Sequence, residues 1–307
     1  MNKEYDVVGL GCVGVYYTTK VKTFSDKNNK IVSNNLSESE GGVTANNLVQ
    51  ASRLGLKTAW CGNIGNDELG KKILKNFKKE NIKAFANKSG TTQQCWIIVD
   101  EKGEKEIYAF PNSSSELTPK IVDSKFKKII ERSNYFHTEA SIIPLKAAIR
   151  GAEIAKKSGS KVLVDIDCDV DKLLNIAKIG TMKELEKLII LSDVVKMSES
   201  AGKSLYKNIK SVWNNKIIIM TKGSKGCVVI NQGNKSTISA YKIKAVDTTG
   251  AGDAFMGGLS YTLLKGFNLK DAAKFANACG AYNCLKIGAR QSGTLKQITN
   301  FMTQNKS

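Results

Sequence analysis

Histidine is almost absent: His137 stands alone in 307 residues. A site needing two imidazole ligands is therefore excluded. Ser-His-Asp or Cys-His catalysis has a single residue to draw on, so acid–base work falls to carboxylates. Arginine is scarce as well, with only Arg53, Arg132, Arg150 and Arg290 among 47 basic residues. Base readout and forked phosphate contacts favour arginine. The formal charge of +19 accordingly reads as dispersed surface lysine suited to an anionic small substrate, not as a nucleic-acid surface. Lys71, Lys72, Lys75, Lys78 and Lys79 fall at helical spacing, as one solvated face would. Long apolar runs are missing: Val7–Tyr17 is far short of the ~20 residues of a membrane helix. Glu4 and Asp6 flank its start, so no signal peptide is expected. The seven cysteines, Cys12, Cys61, Cys95, Cys168, Cys227, Cys279 and Cys284, form no C-x-x-C pair. Several sit in apolar segments, as reduced buried thiols of a cytoplasmic enzyme do. The three prolines, Pro111, Pro119 and Pro144, do not cluster, and neither linker nor repeat is visible, so residues 1–307 read as a single domain.

What is present is alternation. Tyr5–Leu10, Lys57–Cys61, Val162–Ile166, Val194–Val195, Lys216–Thr221 and Gly226–Asn231 read as strands. Ala45–Leu54, Leu69–Asn81, Pro144–Ser158 and Met182–Ile190 read as helices. That rhythm predicts an α/β fold with a mostly parallel central sheet and helices on both faces. Segments of about 12–43 and 91–110 break it, reading strand after strand: Thr91–Val99, a turn at Glu101–Glu104, then Glu106–Phe110. They predict a small β-sheet lid protruding from the main body.

Two glycine motifs invite a phosphate reading. Gly9-Leu10-Gly11-Cys12-Val13-Gly14 satisfies the dinucleotide fingerprint, yet that fingerprint needs a helix behind it. Val15–Val21 has no helical period, so a tight strand-to-strand bend is the better reading. Asp247-Thr248-Thr249-Gly250-Ala251-Gly252-Asp253 is different. A strand-like run, Tyr241–Val246, leads in, and an amphipathic helix to about Lys265 leads out, stopped at Gly266. A glycine turn opening a helix presents backbone amides and the positive end of the dipole to an anion. Asp253 at that turn makes sense as a general base taking a proton from an attacking hydroxyl. A glycine turn with Asp253 as a helix cap is the bland alternative.

Asp247–Gly258 resembles the C-terminal signature of the ribokinase-like (PfkB) carbohydrate kinases. Gly41-Gly42-Val43-Thr44-Ala45-Asn46, Ala51–Gly55 and Gly62–Gly70 resemble the N-terminal one. The resemblance implies an α/β kinase with a β-lid, ATP and Mg²⁺ as donor, and a sugar or sugar-like alcohol as acceptor. It implies that Asp253 is the base, that Gly250, Ala251 and Gly252 form the anion hole, and that Gly41, Gly42 and Asn46 meet the acceptor. Thr221, Gly223, Ser224 and Gly226 resemble the nucleotide loop, a role compatible with a plain hairpin turn. Asn277 matches a position bordering adenine, the alternative being an exposed helical Asn. Asp247, Thr249, Gly288 and Ser292 resemble the surroundings of a monovalent cation, K⁺, in part of the family. Pairing of two lids in a homodimer is a further expectation, since exposed strand edges seek cover.

The chain departs from the family pattern in places. Tyr16 stands where many relatives carry an Asp gripping sugar hydroxyls. Asp165-Ile166-Asp167-Cys168-Asp169 lacks the Arg of Asp-x-Asn-x-Arg. Ser198 and Ala201 replace both residues of Asn-x-x-Glu, with Glu199 as a shifted substitute. A nucleoside kinase of the same superfamily, a non-catalytic sugar-binding relative and an oxidoreductase using NAD at Gly9–Gly14 are the competing readings. His137 reads as a core or loop histidine, with lining of the acceptor site as the alternative.

Overall fold

The computed structural model describes residues 3–26, 28–102, 104–208 and 216–305. The chain opens with β1 (Tyr5–Leu10), β2 (Gly14–Lys20), β3 (Leu36–Gly41), α1 (Val43–Arg53), β4 (Thr58–Ile64), α2 (Glu68–Lys79) and β5 (Ile82–Lys88). It continues through β6 (Gln93–Val99), β7 (Lys105–Phe110), two short helical pieces, α3 (Pro119–Ile121) and α4 (Lys127–Ile130), then β8 (Ser133–Ala140) and α5 (Leu145–Lys157). Next come β9 (Lys161–Ile166), α6 (Met182–Leu191), β10 (Val194–Ser198), α7 (Glu199–Asn208) and β11 (Ile217–Thr221). The hairpin β12 (Cys227–Asn231) and β13 (Asn234–Ile238) and the helices α8 (Ala251–Leu264), α9 (Leu269–Asn283) and α10 (Leu295–Gln304) complete it.

Nine strands form the main sheet in the order β13-β12-β11-β10-β9-β8-β1-β4-β5. All neighbours pair parallel except β12 and β13, which close one edge antiparallel. Buried on both faces, the inner strands are almost continuously apolar. Val7 joins the core under α1, while Val8 and Leu10 join the core under α5 and α6. Leu163 faces α8 and α9, and its neighbours Val162 and Val164 face away from them. This two-residue alternation gives the sheet a layer of helix on each side. The strand order reverses at β1, which leaves a crevice at the carboxyl ends of β1 and β8, where α/β folds place ligands.

Four strands inside the expected segments make a second, small sheet in the order β3-β2-β6-β7. Among the described residues of the 21–35 connection from β2 to β3 none is in a strand, and Lys27 and Gly103 of the expected segments lie outside the described residues. Register sets the faces: Tyr17 pairs with Trp96 and Trp96 with Tyr108, while Tyr16 pairs with Cys95 one position away. Trp96 and Tyr108 are exposed and Cys95 is buried, so the Tyr16–Cys95 face turns inward.

Two local expectations are corrected. Tyr241–Val246 is not a strand, because no neighbouring strand pairs with it; it runs as an irregular segment along a cavity wall. The helix behind Gly250 is not amphipathic. It is wedged between α1 and α9, and Asp253–Ser260 is buried throughout.

Candidate active site

The glycines after β1 serve approach, not a nucleotide fingerprint: β2 begins at Gly14, and no helix follows. A methyl group on Gly11 would meet the Thr44 hydroxyl at 1.9 Å, so the bare backbone lets the start of α1 lie against the end of β1. Gly42 is the N-cap of α1 and offers no side-chain cap. The buried carboxylate of Glu139, from the end of β8, supplies one instead. Its Oε2 accepts from Thr44 N at 2.8 Å, and its Oε1 accepts from Cys12 N at 3.1 Å and Ser141 Oγ at 2.8 Å. Burial pushes the Glu139 pKa up, against these hydrogen bonds.

The crevice is bounded on its other side by α8. Gly250, the N-cap, sits at φ 76°, and a Cβ there would strike the Ala289 carbonyl oxygen at 2.1 Å; the turn requires glycine on both counts. Ala251 N is engaged by Thr248 O. No side chain caps the helix, so the amides of Gly252 and Asp253 have no partner within it. Asp253 is only 7% exposed, and its Oδ2 accepts from Asn46 Nδ2 at 2.7 Å. Asn46 is held in turn, because Arg290 Nε donates to its Oδ1 at 2.8 Å. That bond leaves Asn46 only its amide hydrogens to turn toward Asp253. Arg290 also donates to Gly41 O at 2.9 Å, and Gly42 N donates to Tyr16 Oη at 3.0 Å. Tyr16, Gly41, Gly42, Asn46 and Asp253 therefore meet in one place, as the sequence motifs require.

A buried ion pair lies beside this group. Lys196 on β10 and Asp165 on β9 are register partners, both almost fully buried. Lys196 Nζ lies 2.9 and 3.0 Å from the two carboxylate oxygens. A methyl group on Gly252 would come within 2.9 Å of that ammonium, which places a positive charge against the N-terminus of α8. Burial alone would lower the Lys196 pKa, but the carboxylates of Asp165, Asp167 and Asp253 outweigh it and hold the ammonium charged. Asp165 is pushed up to about 6, chiefly by burial. Burial, and after it the neighbouring Asp167, also raises Asp253 well above an ordinary aspartate. Motif reading passes over this pair. The available signal was a lysine and an aspartate set in otherwise apolar strands, where a buried charge demands a partner.

On the far side of Gly252 opens a cavity of about 470 Å³, lined by Thr221, Gly223, Ser224, Gly226, Ala251 and Asn277 among others. That is the size range of small-molecule sites. Gly223–Lys225 form a single 3-10 turn between β11 and β12, so the hairpin and the cavity wall are the same residues. Asn277 is buried, not exposed, and donates to Ser239 O at 3.1 Å. Ser198 Oγ accepts from Ala201 N at 3.2 Å at the start of α7, so the residue at the Asn position of the motif works as a helix cap. Glu199 faces Lys222 at 3.7 Å and Lys203 at 3.6 Å.

Asp247, Thr249 and Gly288 also come together, and Ser292 reaches them through Asn283, to whose Oδ1 it donates at 3.5 Å while Asn283 Nδ2 donates to Thr249 O at 2.9 Å. Asp247 Oδ1 accepts from Thr249 N at 2.9 Å and Oγ1 at 2.7 Å, and its Oδ2 accepts from Gly288 N at 3.0 Å. Burial would raise the Asp247 pKa; these bonds and the nearby Lys105 outweigh it and hold it low. His137 is wholly buried. Its two ring nitrogens have no hydrogen-bond partner, and it is a core residue. All seven cysteines are free thiols. Among the described residues no helix is long and apolar enough to cross a membrane.

A parallel sheet with this crevice, a second small sheet and a glycine turn opening a buried helix define a ribokinase-like α/β fold. A ribokinase from Arabidopsis thaliana, solved in complex with ribose and ATP, superposes with a TM-score of 0.81 over 98% of this chain and 99% of its own, at 18% identity. The model of the pfkB family carbohydrate kinases matches residues 6–296. The chain belongs to that family and is a carbohydrate kinase. Among its relatives, the ribokinase of Haemophilus influenzae is 29% identical over 303 residues, covering 94% of this chain and 95% of that protein. Fructokinase-2 of Zea mays is 30% identical over 273 residues, covering 81% and 80%.

Proposed function

We propose that this kinase transfers the γ-phosphoryl group of ATP to a hydroxyl of a small sugar, with Asp253 as the general base. The observation that carries this reading is the position of Asp253. It lies at the open N-terminus of α8, between Asn46 on one side and the cavity lined by Ala251 and Gly252 on the other. ATP would occupy that cavity, its base against Asn277 and the Thr221–Gly226 turn, its phosphates running toward Gly250–Asp253. The sugar would lie in the crevice at Gly41, Gly42, Asn46 and Tyr16, its hydroxyl reaching Asp253.

The chemistry follows from the charges. Ionised Asp253 takes the hydroxyl proton, and the freed oxygen attacks the γ-phosphorus in line as the bond to the β-phosphate oxygen breaks. The amides at the head of α8 receive the charge on the transferring group. The Lys196 ammonium adds to the same field, and Asp165 keeps it in place. Arg290 acts through Asn46, fixing which face Asn46 shows to Asp253. Magnesium, bound with ATP, would neutralise charge on its phosphates. No three His, Cys, Asp or Glu side chains among the described residues form a metal cage, which suits an ion held largely by phosphate and water. Asp167, exposed at the end of β9, is the carboxylate we assign to its water shell.

The small sheet would act as a lid. Its strands carry Tyr16 and Gly41 into the acceptor site, so its closure both completes the pocket and excludes water. Tyr16 spends its hydroxyl on Gly42 N and presents a ring where a carboxylate would grip two hydroxyls. ADP release measured across ribose, fructose, 2-keto-3-deoxygluconate, adenosine and other nucleosides tests the reading. Turnover of a free sugar is expected. Turnover confined to nucleosides would replace it with a nucleoside kinase, and ligand binding without ADP from any acceptor would leave a non-catalytic relative.

A further inference from the structure

Asp247 and Thr249, which the family resemblance sets beside a monovalent cation, have their oxygens met by the chain's own donors. Lys105, at the start of β7 in the small sheet, brings its Nζ to 3.6 Å from Asp247 Oδ1 and 3.3 Å from Thr249 Oγ1. Both oxygens of Asp247 accept backbone or hydroxyl hydrogens from Thr249 and Gly288. The Thr249 carbonyl accepts from Asn283 Nδ2 at 2.9 Å, and the Oδ1 of the same amide accepts from Ser292 Oγ at 3.5 Å. Asn283 is wholly buried. A cation needs acceptor lone pairs facing it. An ammonium contributes three hydrogens and a positive charge, and an amide nitrogen contributes two more hydrogens. A second positive ion beside Lys105 would be repelled at short range.

We propose that Lys105 and Asn283 do the work of the monovalent cation in this protein, so that catalysis is independent of potassium. The charge on Asp247, three residues before the Gly250 turn, is balanced by an ammonium from the small sheet. The Thr249 carbonyl is tied by an amide from the end of α9. The turn that receives the phosphoryl group is thereby held in shape by side chains. Because the ammonium belongs to β7, the balancing charge arrives only when the small sheet is seated on the body. Lys105 and Asn283 are positioning residues and touch no reacting atom. The inference rests on the kinase reading above for what the turn does, but the structural claim can be checked apart from it.

The test uses the full chain at constant ionic strength in chlorides of tetramethylammonium, sodium, potassium and rubidium. ADP release is measured with whichever sugar turns over, and thermal unfolding is measured with the salt alone. The native protein is expected to turn over equally in potassium and tetramethylammonium, within about twofold, and to show no potassium-specific rise in melting temperature. Lys105→Met should lose about fivefold in kcat in tetramethylammonium, the scale of a partly exposed ion pair, and regain it in potassium. Potassium activation of the native enzyme by about tenfold, or a melting temperature raised by potassium and rubidium but not by sodium, would overturn the proposal. So would a Lys105→Met protein as active as the native one without potassium. Absence of ADP from every acceptor in every salt would count against the kinase reading alone, since the unfolding measurement on the native chain still decides the cation question.

Discussion

Lys196 and Asp165 show how far a single pair can matter at the scale of the residue. Each is buried almost completely, and each is intelligible only through the other. Replacing Lys196 with Met leaves the Asp165 carboxylate without its partner in a dry interior, which removes roughly 3–5 kcal/mol from stability. Urea unfolding of Lys196→Met is expected to show that loss, and adding Asp165→Leu should recover much of it. A single variant as stable as the native chain would mean that the pair is not desolvated. The motif residues were legible without coordinates, because glycines and an aspartate at fixed spacing have few other uses. Lys196 was not. Its partner lies 31 residues away, and only the register of β9 on β10 brings the two together. Arg290 was equally hidden: nothing in its neighbourhood indicates that it orients Asn46, 244 residues distant.

At the scale of elements, alternation of strands and helices was enough to give the parallel sheet, while boundaries and edges escaped it. β13 reads Asn-Lys-Ser-Thr-Ile, an edge strand whose exposed side chains carry no apolar alternation. Tyr241–Val246 has the alternation of a strand and lacks a neighbour to pair with, so pattern alone misled. β8 carries a testable property of its own. His137 is held neutral there, its pKa lowered to about 3 by burial and by Lys196. Below the ordinary value near 6.5 the unfolded chain takes up a proton that the folded chain refuses, so stability falls as the pH drops and is fully present only above that value. Between pH 6.5 and 5 this one group should remove about 2 kcal/mol. His137→Leu should flatten that part of the pH dependence in thermal or urea unfolding. An unchanged acid slope would show that His137 is not held neutral.

At the scale of the whole molecule, two sheets meet at the candidate site. The main sheet places α1 and α8 on either side of the crevice, and the small sheet delivers Tyr16 and Gly41 to it and Lys105 to Asp247 before the Gly250 turn. The outer face of the small sheet exposes Trp96, Tyr108 and Phe110, an apolar surface of the kind that partners cover. We infer that two copies pair there. Light scattering is expected to give a dimer for the native chain and a monomer for Trp96→Glu with its fold intact; a native monomer would refute this. The central claim is that a carboxylate at the head of α8 takes the acceptor's proton. Asp253→Asn keeps the shape and removes the base. With the sugar identified, its kcat should fall by about 10²–10⁴, while ATP still raises the melting temperature as it does for the native protein. An Asp253→Asn enzyme turning over at near the native rate would contradict the account.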